Sequence, residues 1–177
     1  MKKYGIYILT LVAMVMTACG NGGFKVSGKI EGANDSTKMV VEVANNGWWL
    51  IVDSVKCDKN GKFEVAQPAP QYAEIYRLRY NDKAIYFPID SIDNVTLNSN
   101  IANFATDYVL GGSALAEEMM NVDKRAMQMH KASAEELKAW KNELAKVILA
   151  NPSSIVSYYI INKYIGEAPL YNPQDKE

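Results

Sequence analysis

The chain has 177 residues, of which 49% are hydrophobic, and its 19 basic and 20 acidic residues give a formal net charge of −1. This length and apolar content suit one domain with a sizeable core, or one domain with an appendage. The near-neutral charge and the lack of a polybasic run argue against binding to nucleic acid or to lipid headgroups.

The chain begins with the order of a secretory leader: two lysines, an apolar run and small residues before a cysteine. The apolar run, residues 6–16, is about 11 residues long, whereas a membrane-spanning helix needs about 20. The small residues followed by Cys19 resemble the lipobox of bacterial lipoproteins, although Met16 stands where that motif usually has Leu, Val or Ile. We therefore expect residues 1–18 to be a signal peptide and Cys19 to be the lipidated N-terminus.

Residues 19–23 would then join the lipid to the folded part as a short, glycine-rich tether. The lipid on Cys19 would anchor the protein to a membrane of the cell envelope. Because the tether lacks the acidic run that exports some lipoproteins to the cell surface, the expected location is the outer membrane on its periplasmic face. An ordinary secretory signal followed by an unrelated cysteine is the alternative.

Residues 24–110 show the pattern of short strands separated by turns. Asn46-Gly47 separates two apolar, β-branched runs, which is the strongest short signal for a β-hairpin. A second hairpin is predicted where residues 58–61 turn the chain, and Pro68 indicates an edge strand or a crossover to a second layer. The segment is therefore predicted to be an antiparallel β-sandwich or open barrel of seven to eight short strands.

After Gly112 the period changes to that of helices, and residues 111–166 are predicted as a helical appendage of about three helices. Ser133, with Glu136 three residues later, forms a capping box at the start of the second helix. The third helix is predicted to begin at Asn151-Pro152 and to continue to Ile165, with apolar residues around most of its circumference. The predicted fold class is α+β.

The last segment, residues 167–177, has no periodicity. We predict it to be an unstructured tail and to be the point at which a longer protein has been truncated.

Two cysteines occur in the chain, and if Cys19 carries lipid then Cys57 has no disulfide partner. Cys57 follows Val55 by two residues, so both side chains should point to the same face of a strand. We therefore expect Cys57 to be buried and unreactive.

No catalytic, cofactor-binding or metal site is predicted, and the chain is predicted not to be an enzyme. The single histidine, His130, lies near a predicted helix end, without the further ligands that zinc requires. The acidic pairs Asp90/Asp93 and Glu117/Glu118 lie at predicted turns and helix starts, where carboxylates are common without catalysis. The sequence has neither a phosphate-binding loop nor a nucleophile elbow.

The adjacent residues Trp48 and Trp49 form the candidate binding surface. Because neighbours in a strand face opposite ways, one indole should enter the core and the other should lie on the outer face. An outward tryptophan can stack on a sugar or contact a protein partner, or it can be covered by the helices of the same chain.

The order of these segments resembles a domain of unknown function that forms the N-terminal part of many thioredoxin-like thiol–disulfide oxidoreductase lipoproteins in Gram-negative bacteria. The resemblance covers nearly the whole mature chain. Its most specific part is an Asp-Ser-Val…Asp-x-x-Gly-x-Phe pattern, carried here by Asp53, Ser54, Val55, Asp58, Gly61 and Phe63. In such proteins the redox cysteines lie in a thioredoxin-like domain after the helices, so they have no counterpart in this chain.

Together these observations predict a lipid-anchored lipoprotein whose β domain is a non-catalytic binding or positioning module without a cofactor. The implied partners are the membrane, through Cys19, and a thioredoxin-like domain in the same or another chain. One alternative is a fragment of a redox enzyme whose catalytic domain is missing from this sequence. The other is a stand-alone lipoprotein that binds a ligand or glycan through an outward tryptophan.

Overall fold

The structure is a computed structural model that describes residues 22–172. The predicted signal peptide and Cys19 lie outside these residues. The strands are β1 (Gly23–Glu31), β2 (Lys38–Asn45), β3 (Trp48–Lys56), β4 (Lys62–Pro68), β5 (Glu74–Tyr80), β6 (Lys83–Ile89), β7 (Asn94–Asn100), β8 (Tyr108–Gly111), β9 (Tyr164–Ile165) and β10 (Ala168–Pro169). The helices are α1 (Ala114–Met129), α2 (Ala134–Ala150) and α3 (Ile155–Ile161). Within the described range, none of the helices has the length and apolar character needed to cross a membrane.

The first eight strands form two four-stranded sheets, in the orders β4-β1-β7-β8 and β3-β2-β5-β6. The pairs within these sheets are antiparallel except that β1 and β7 run parallel. Gly28 of β1 lies opposite Leu97 of β7, and a Cβ atom on Gly28 would come within 1.7 Å of the Leu97 carbonyl oxygen. Only glycine therefore permits the two backbones to approach this closely.

The two sheets pack face to face around one apolar core, as the alternation in the sequence predicts. Its fully buried large side chains include Phe24, Ile30, Met39, Leu78, Ile85, Phe87, Ile89, Leu97, Phe104 and Leu110. The predicted hairpin turn is also present, since Asn46 and Gly47 have φ angles of 48° and 85°. The predicted α+β fold, with a β-sandwich of eight short strands followed by three helices, is confirmed.

Helix α1 packs against β6 and β8, which are edge strands of different sheets. Ala116 and Met120 of α1 join the sandwich core, whereas Met119 and Val122 belong to a second apolar cluster among the helices. The helix therefore covers one open side of the sandwich and shields two strand edges from other chains. The edges at the opposite side belong to β3 and β4.

The second cluster holds the helices together and joins them to the outer face of the β3-β2-β5-β6 sheet. Its buried members include Ile75, Met119, Val122, Trp140, Leu144, Val156, Ile160 and Leu170. The capping box predicted for α2 is confirmed: the Ser133 hydroxyl accepts from the Glu136 N–H at 3.2 Å, and the Glu136 carboxylate accepts from the Ser133 N–H at 2.8 Å.

A buried carboxylate, Asp123 of α1, fastens the helices to the sandwich. It accepts hydrogen bonds from Tyr108 of β8 at 3.2 Å and from Tyr159 of α3 at 2.6 Å, and it forms an ion pair with Lys163. Burial, followed by the negative charge of Asp123, raises the pKa of both tyrosines well above the ordinary value. Both phenols therefore remain protonated donors throughout the neutral range.

The third helix is shorter than the sequence predicts. It begins after Ser154, whose hydroxyl accepts from the Val156 N–H at 3.2 Å, while Asn151 caps the C-terminus of α2 instead of starting α3. It ends at Ile161 because the chain then reverses through the hairpin β9–β10. Helix α3 therefore has Ser154 as its N-cap, three residues after the Asn151 cap that the Asn-Pro pattern predicts.

The prediction of an unstructured tail is wrong for the part of it that the structure describes. Ala168–Pro169 pair with Tyr164–Ile165, and Leu170 is buried in the helical cluster. The hydroxyl of Tyr171 donates to the carbonyl oxygen of Lys141 at 2.7 Å. The absence of periodicity was a poor guide here, because two-residue strands are too short to show any.

Candidate functional site

The first half of β3 is an exposed, apolar strand edge. Among the described residues, β3 pairs only with β2, so its other edge is open. Trp48, Leu50 and Ile51 are 77%, 48% and 66% exposed. Residues 48–52 carry no charge, although charged side chains commonly protect such edges against pairing with other chains. This segment therefore combines open backbone hydrogen-bonding groups with apolar side chains.

The second half of β3 is protected. Val41 lies opposite Asp53 and Glu42 lies opposite Ile51, so Val52 is an extra residue that forms a β-bulge. Beyond the bulge, the Asp53 carboxylate accepts a hydrogen bond from the Gln67 side-chain amide of β4 at 2.6 Å. The bulge and this bond divide β3 into two halves: a fastened half, residues 53–56, which is bonded to β4 through Asp53, and an open half before the bulge. We call the open half, Trp48–Ile51, the β3 edge.

The two tryptophans do not divide as the sequence predicts, because neither indole enters the sandwich core. Trp48 is largely exposed, and Trp49 is partly buried beside the helical cluster. The Trp49 ring lies 5.6 Å from the Tyr86 ring, and the Arg77 guanidinium lies 4.1 Å above the Trp49 ring. Trp49 therefore holds the strand in place, and Trp48 is the indole available to a partner.

A buried carboxylate fixes Arg77 in turn. Glu42 accepts hydrogen bonds from Arg77 Nε at 2.6 Å and from Arg79 Nη2 at 3.0 Å. Burial alone would raise the pKa of Glu42, but the hydrogen bonds and charges of Arg79 and Arg77 outweigh it and lower that pKa. Glu42 fixes Arg77, and Arg77 stacks on Trp49, so these contacts form a rigid base that restrains the backbone of the β3 edge.

Cys57 lies at the end of the fastened half, and its predicted burial is confirmed. It is 4% exposed and belongs to the sandwich core, and burial, followed by the charge of Asp58, raises its pKa. The adjacent residues form a turn, as predicted: the Asp58 carboxylate accepts from the N–H groups of Asn60 at 2.8 Å and Lys62 at 2.9 Å. A buried thiol with a raised pKa is poorly suited to redox chemistry.

The remaining residues considered in the sequence occupy ordinary positions. His130 is exposed at the end of α1. Asp93 accepts from the Asp90 N–H at 2.7 Å, as a turn residue does. Residues 22–172 contain no group of three or more potential metal ligands in a suitable arrangement.

Sequence reasoning missed a groove between α1 and α2, which Glu117 and Glu118 line together with residues of α2. The sequence did contain a signal for it. Glu117 and Glu118 lie three or four residues from both Ala114 and Asn121, and residues at this spacing share one face of a helix.

The described residues thus form a β-sandwich that carries helices and an exposed apolar strand edge. A family model described as "Domain of unknown function (DUF4369)" matches residues 24–119, which is more than half of the chain. The chain belongs to this family. The match contains nearly all of the sandwich and the first turns of α1, so it includes the β3 edge but leaves α2 and α3 outside.

Curated proteins include no match to this chain. Among solved structures, one similar chain is a proposed cell adhesion protein from Bacteroides ovatus ATCC 8483, with 11% sequence identity and a TM-score of 0.29. The alignment covers 54% of this chain and 45% of that chain, so it spans less than half of the other protein.

Proposed function

We propose that this protein is a lipid-anchored, non-catalytic binding module of the cell envelope that holds a partner protein at the β3 edge. The observation that carries the proposal is the exposure of Trp48, Leu50 and Ile51 on an open strand edge. Such an edge can add a strand from a partner through backbone hydrogen bonds, and the exposed side chains then supply specificity. The rigid base beneath Trp49 lowers the entropic cost of that binding.

The partner proposed is a thioredoxin-like domain, in the same chain or in another one. The family resemblance implies such a domain, and the buried Cys57 gives this part of the chain no redox chemistry of its own. The module would then position a redox domain relative to the membrane. If such a domain follows in the same protein, this chain is a fragment of a redox enzyme.

Quenching of tryptophan fluorescence by acrylamide tests binding at the β3 edge. The probe is an isolated thioredoxin-like domain from a two-domain lipoprotein of this family, added to residues 19–177 carrying Cys19→Ser. Because Trp48 is 77% exposed, a partner that covers it should reduce the quenching. We expect Ile51→Lys to abolish this protection by placing a charge in the apolar contact.

The matched control is Val109→Lys on β8, because Val109 is 54% exposed and lies on the other sheet. Val109→Lys should leave the protection unchanged. Equal loss in both variants, or no protection in the parent protein, would contradict binding at this edge. If instead a glycan array gave binding that Trp48→Ala removed, the stand-alone glycan-binding lipoprotein would replace this proposal.

Lipid anchoring depends on Cys19, and metabolic labelling with an alkyne fatty acid tests it. The full-length protein should be labelled and should fractionate with membranes, because the thiol of Cys19 is the expected attachment point. Cys19→Ser should remove the label, whereas Cys57→Ser should retain it. Equal labelling of the parent protein and Cys19→Ser would refute the lipoprotein assignment without affecting the test of the β3 edge.

A further inference from the structure

The groove between α1 and α2 has an apolar floor that the proposed function does not use. Its volume is about 470 Å³, and its floor is formed by Val122 of α1 and by Trp140, Leu144 and Val147 of α2. Val122, Trp140 and Leu144 are largely buried and form the bottom of the groove, and Val147 is half-buried beside them. Helix α3 packs against both α1 and α2 but leaves this groove between them.

The rim of the groove is acidic. Glu117 and Glu118 of α1 stand on one side and Glu143 of α2 on the other, and none of the described residues that line the groove is basic. Glu117 and Glu143 are exposed, so their charges remain available to a ligand. An occupant that brings apolar side chains to the floor would therefore be favoured if it brought positive charges to the rim.

The walls also restrict the backbone conformation of the occupant. Both walls are helices, whose backbone N–H and C=O groups are already bonded within each helix except at the termini. The groove therefore offers no backbone partners to an extended peptide, unlike the β3 edge. A segment bound here must satisfy its own backbone hydrogen bonds, and a helix does so.

The spacing of the wall residues gives the length of that helix. Residues 114–122 of α1 and 140–147 of α2 line the groove. At a rise of 1.5 Å per residue these stretches are roughly 10–12 Å long, or about two helical turns. An occupant of this length would present three apolar anchors at positions i, i+3 or i+4, and i+7.

We propose that this groove is a docking site for an amphipathic helix of a partner protein, with three apolar anchors flanked by lysine or arginine. Of the lining residues, only Ala114, Glu117 and Glu118 lie within the matched family region, and the site is separate from the β3 edge. The protein would therefore have two interaction surfaces, one that pairs with a strand and one that accepts a basic helix.

Fluorescence anisotropy tests this with a labelled peptide of about 14 residues, or four turns, that has leucine on one face and lysine elsewhere. A second peptide has glutamate in place of lysine. The protein is residues 19–177 carrying Cys19→Ser. We expect the lysine peptide to bind with saturation, and the glutamate peptide not to bind because the rim repels it.

Two variants with the same net charge locate the site. Glu117→Lys/Glu143→Lys reverses the rim, whereas Glu31→Lys/Glu167→Lys reverses two exposed glutamates elsewhere. We expect the rim variant to bind the lysine peptide about tenfold more weakly, as two reversed surface charge contacts imply, and the control variant to bind it nearly as well as the parent. Circular dichroism checks that both remain folded, and Glu117→Gln/Glu143→Gln gives a milder loss if the reversal unfolds α1.

Three outcomes would overturn the proposal: no saturable binding of the lysine peptide, equal weakening in both charge-reversed variants, or equal binding of the glutamate peptide. Ile51→Lys distinguishes this site from the β3 edge and should leave peptide binding unchanged. Loss of peptide binding in Ile51→Lys would move the site to the β3 edge and refute docking in the groove.

Discussion

Cys57 lies where the chain passes from β3 towards β4, and its thiol is enclosed by the sandwich core. Replacing it with serine places a hydroxyl among apolar side chains, so Cys57→Ser should lower the free energy of unfolding by about 1–3 kcal/mol. Urea denaturation measures the change. Cys57→Ala, which adds no polar group, should cost less at this position.

The same burial makes a kinetic prediction for the thiol. Because its pKa is raised and its sulfur is covered, the folded protein should react with a thiol reagent only as fast as it unfolds. Rapid reaction under native conditions would show that Cys57 is accessible.

Glu42 should make the stability depend on pH in the acid range. Its pKa is lower in the folded protein than the ordinary value of 4.5, so its stabilising contribution is present above that value and is lost as the pH falls through the folded-state pKa. Glu42→Gln, which leaves Arg77 and Arg79 without their carboxylate, should be less stable at neutral pH. It should also lose less stability than the parent between about pH 5 and pH 3.

Thermal or urea unfolding across this pH range measures the difference in slope. Glu64→Gln is the matched control, because Glu64 is exposed and pairs with an exposed lysine. Its acid profile should follow that of the parent. Identical slopes in Glu42→Gln and the parent would mean that the two arginines do not stabilise the charged carboxylate.

At the scale of elements, Asp123 contributes to the attachment of the helices to the sandwich, together with the apolar cluster between them. Asp123→Ala would leave Lys163, whose side chain is 17% exposed, without its counter-ion, and the cost should be about 3 kcal/mol, the low end for buried pairs. Hydrogen exchange should show loss of protection in α3 while the strands remain protected. Tyr108→Phe removes one hydrogen bond to the same carboxylate and should have a smaller effect of about 1 kcal/mol. Uniform loss of protection across the strands and helices would show that the two parts unfold together.

Strands and turns could be predicted because their signals are local. Asn46-Gly47 adopts the positive φ angles that such a hairpin requires, and Gly61, the glycine of the family pattern, has a φ of 78°. In the same pattern Val55 and Phe63 enter the core and Asp58 supplies the turn acceptor. Each of these roles depends on residues within a few positions along the chain.

Features that depend on distant residues could not be predicted. The position of Trp49 is set by Arg77 and Tyr86 of other strands, and the groove is lined by residues of α1 and α2 that lie at least 18 positions apart in the chain. The parallel pairing of β1 with β7 also produces no local sequence pattern apart from Gly28. In the sequence, this glycine cannot be distinguished from a turn glycine.

For the whole molecule, the helices leave an apolar surface that an isolated protein would expose. Tyr158 and Ile161 of α3 are 60% and 48% exposed, and Tyr164 of β9 is 58% exposed. Residues 20–177 should therefore self-associate or bind a hydrophobic dye, because monomers usually keep such surface covered. Sedimentation and dye fluorescence measure these effects.

A C-terminal extension with a thioredoxin-like domain should suppress both effects, provided that the domain covers this surface in addition to the β3 edge. Ile161→Lys should reduce the dye fluorescence of residues 20–177. Val109→Lys, on strand β8 and not on the helical surface, should reduce the dye fluorescence less. A monodisperse monomer that binds no dye would show that the helices close their own core, and the stand-alone binding module would become the better assignment.

The parallel pairing of β1 with β7 has a consequence for the chain during its synthesis. These partners are 69 residues apart in the chain, so β1 leaves the ribosome long before its parallel partner does. At about 5–20 residues per second, several seconds of synthesis separate the two. During that interval Phe24, Val26 and Ile30 lack part of their native cover and remain open to contacts with other chains. This part of the sheet can therefore form only after residue 100 has emerged from the ribosome.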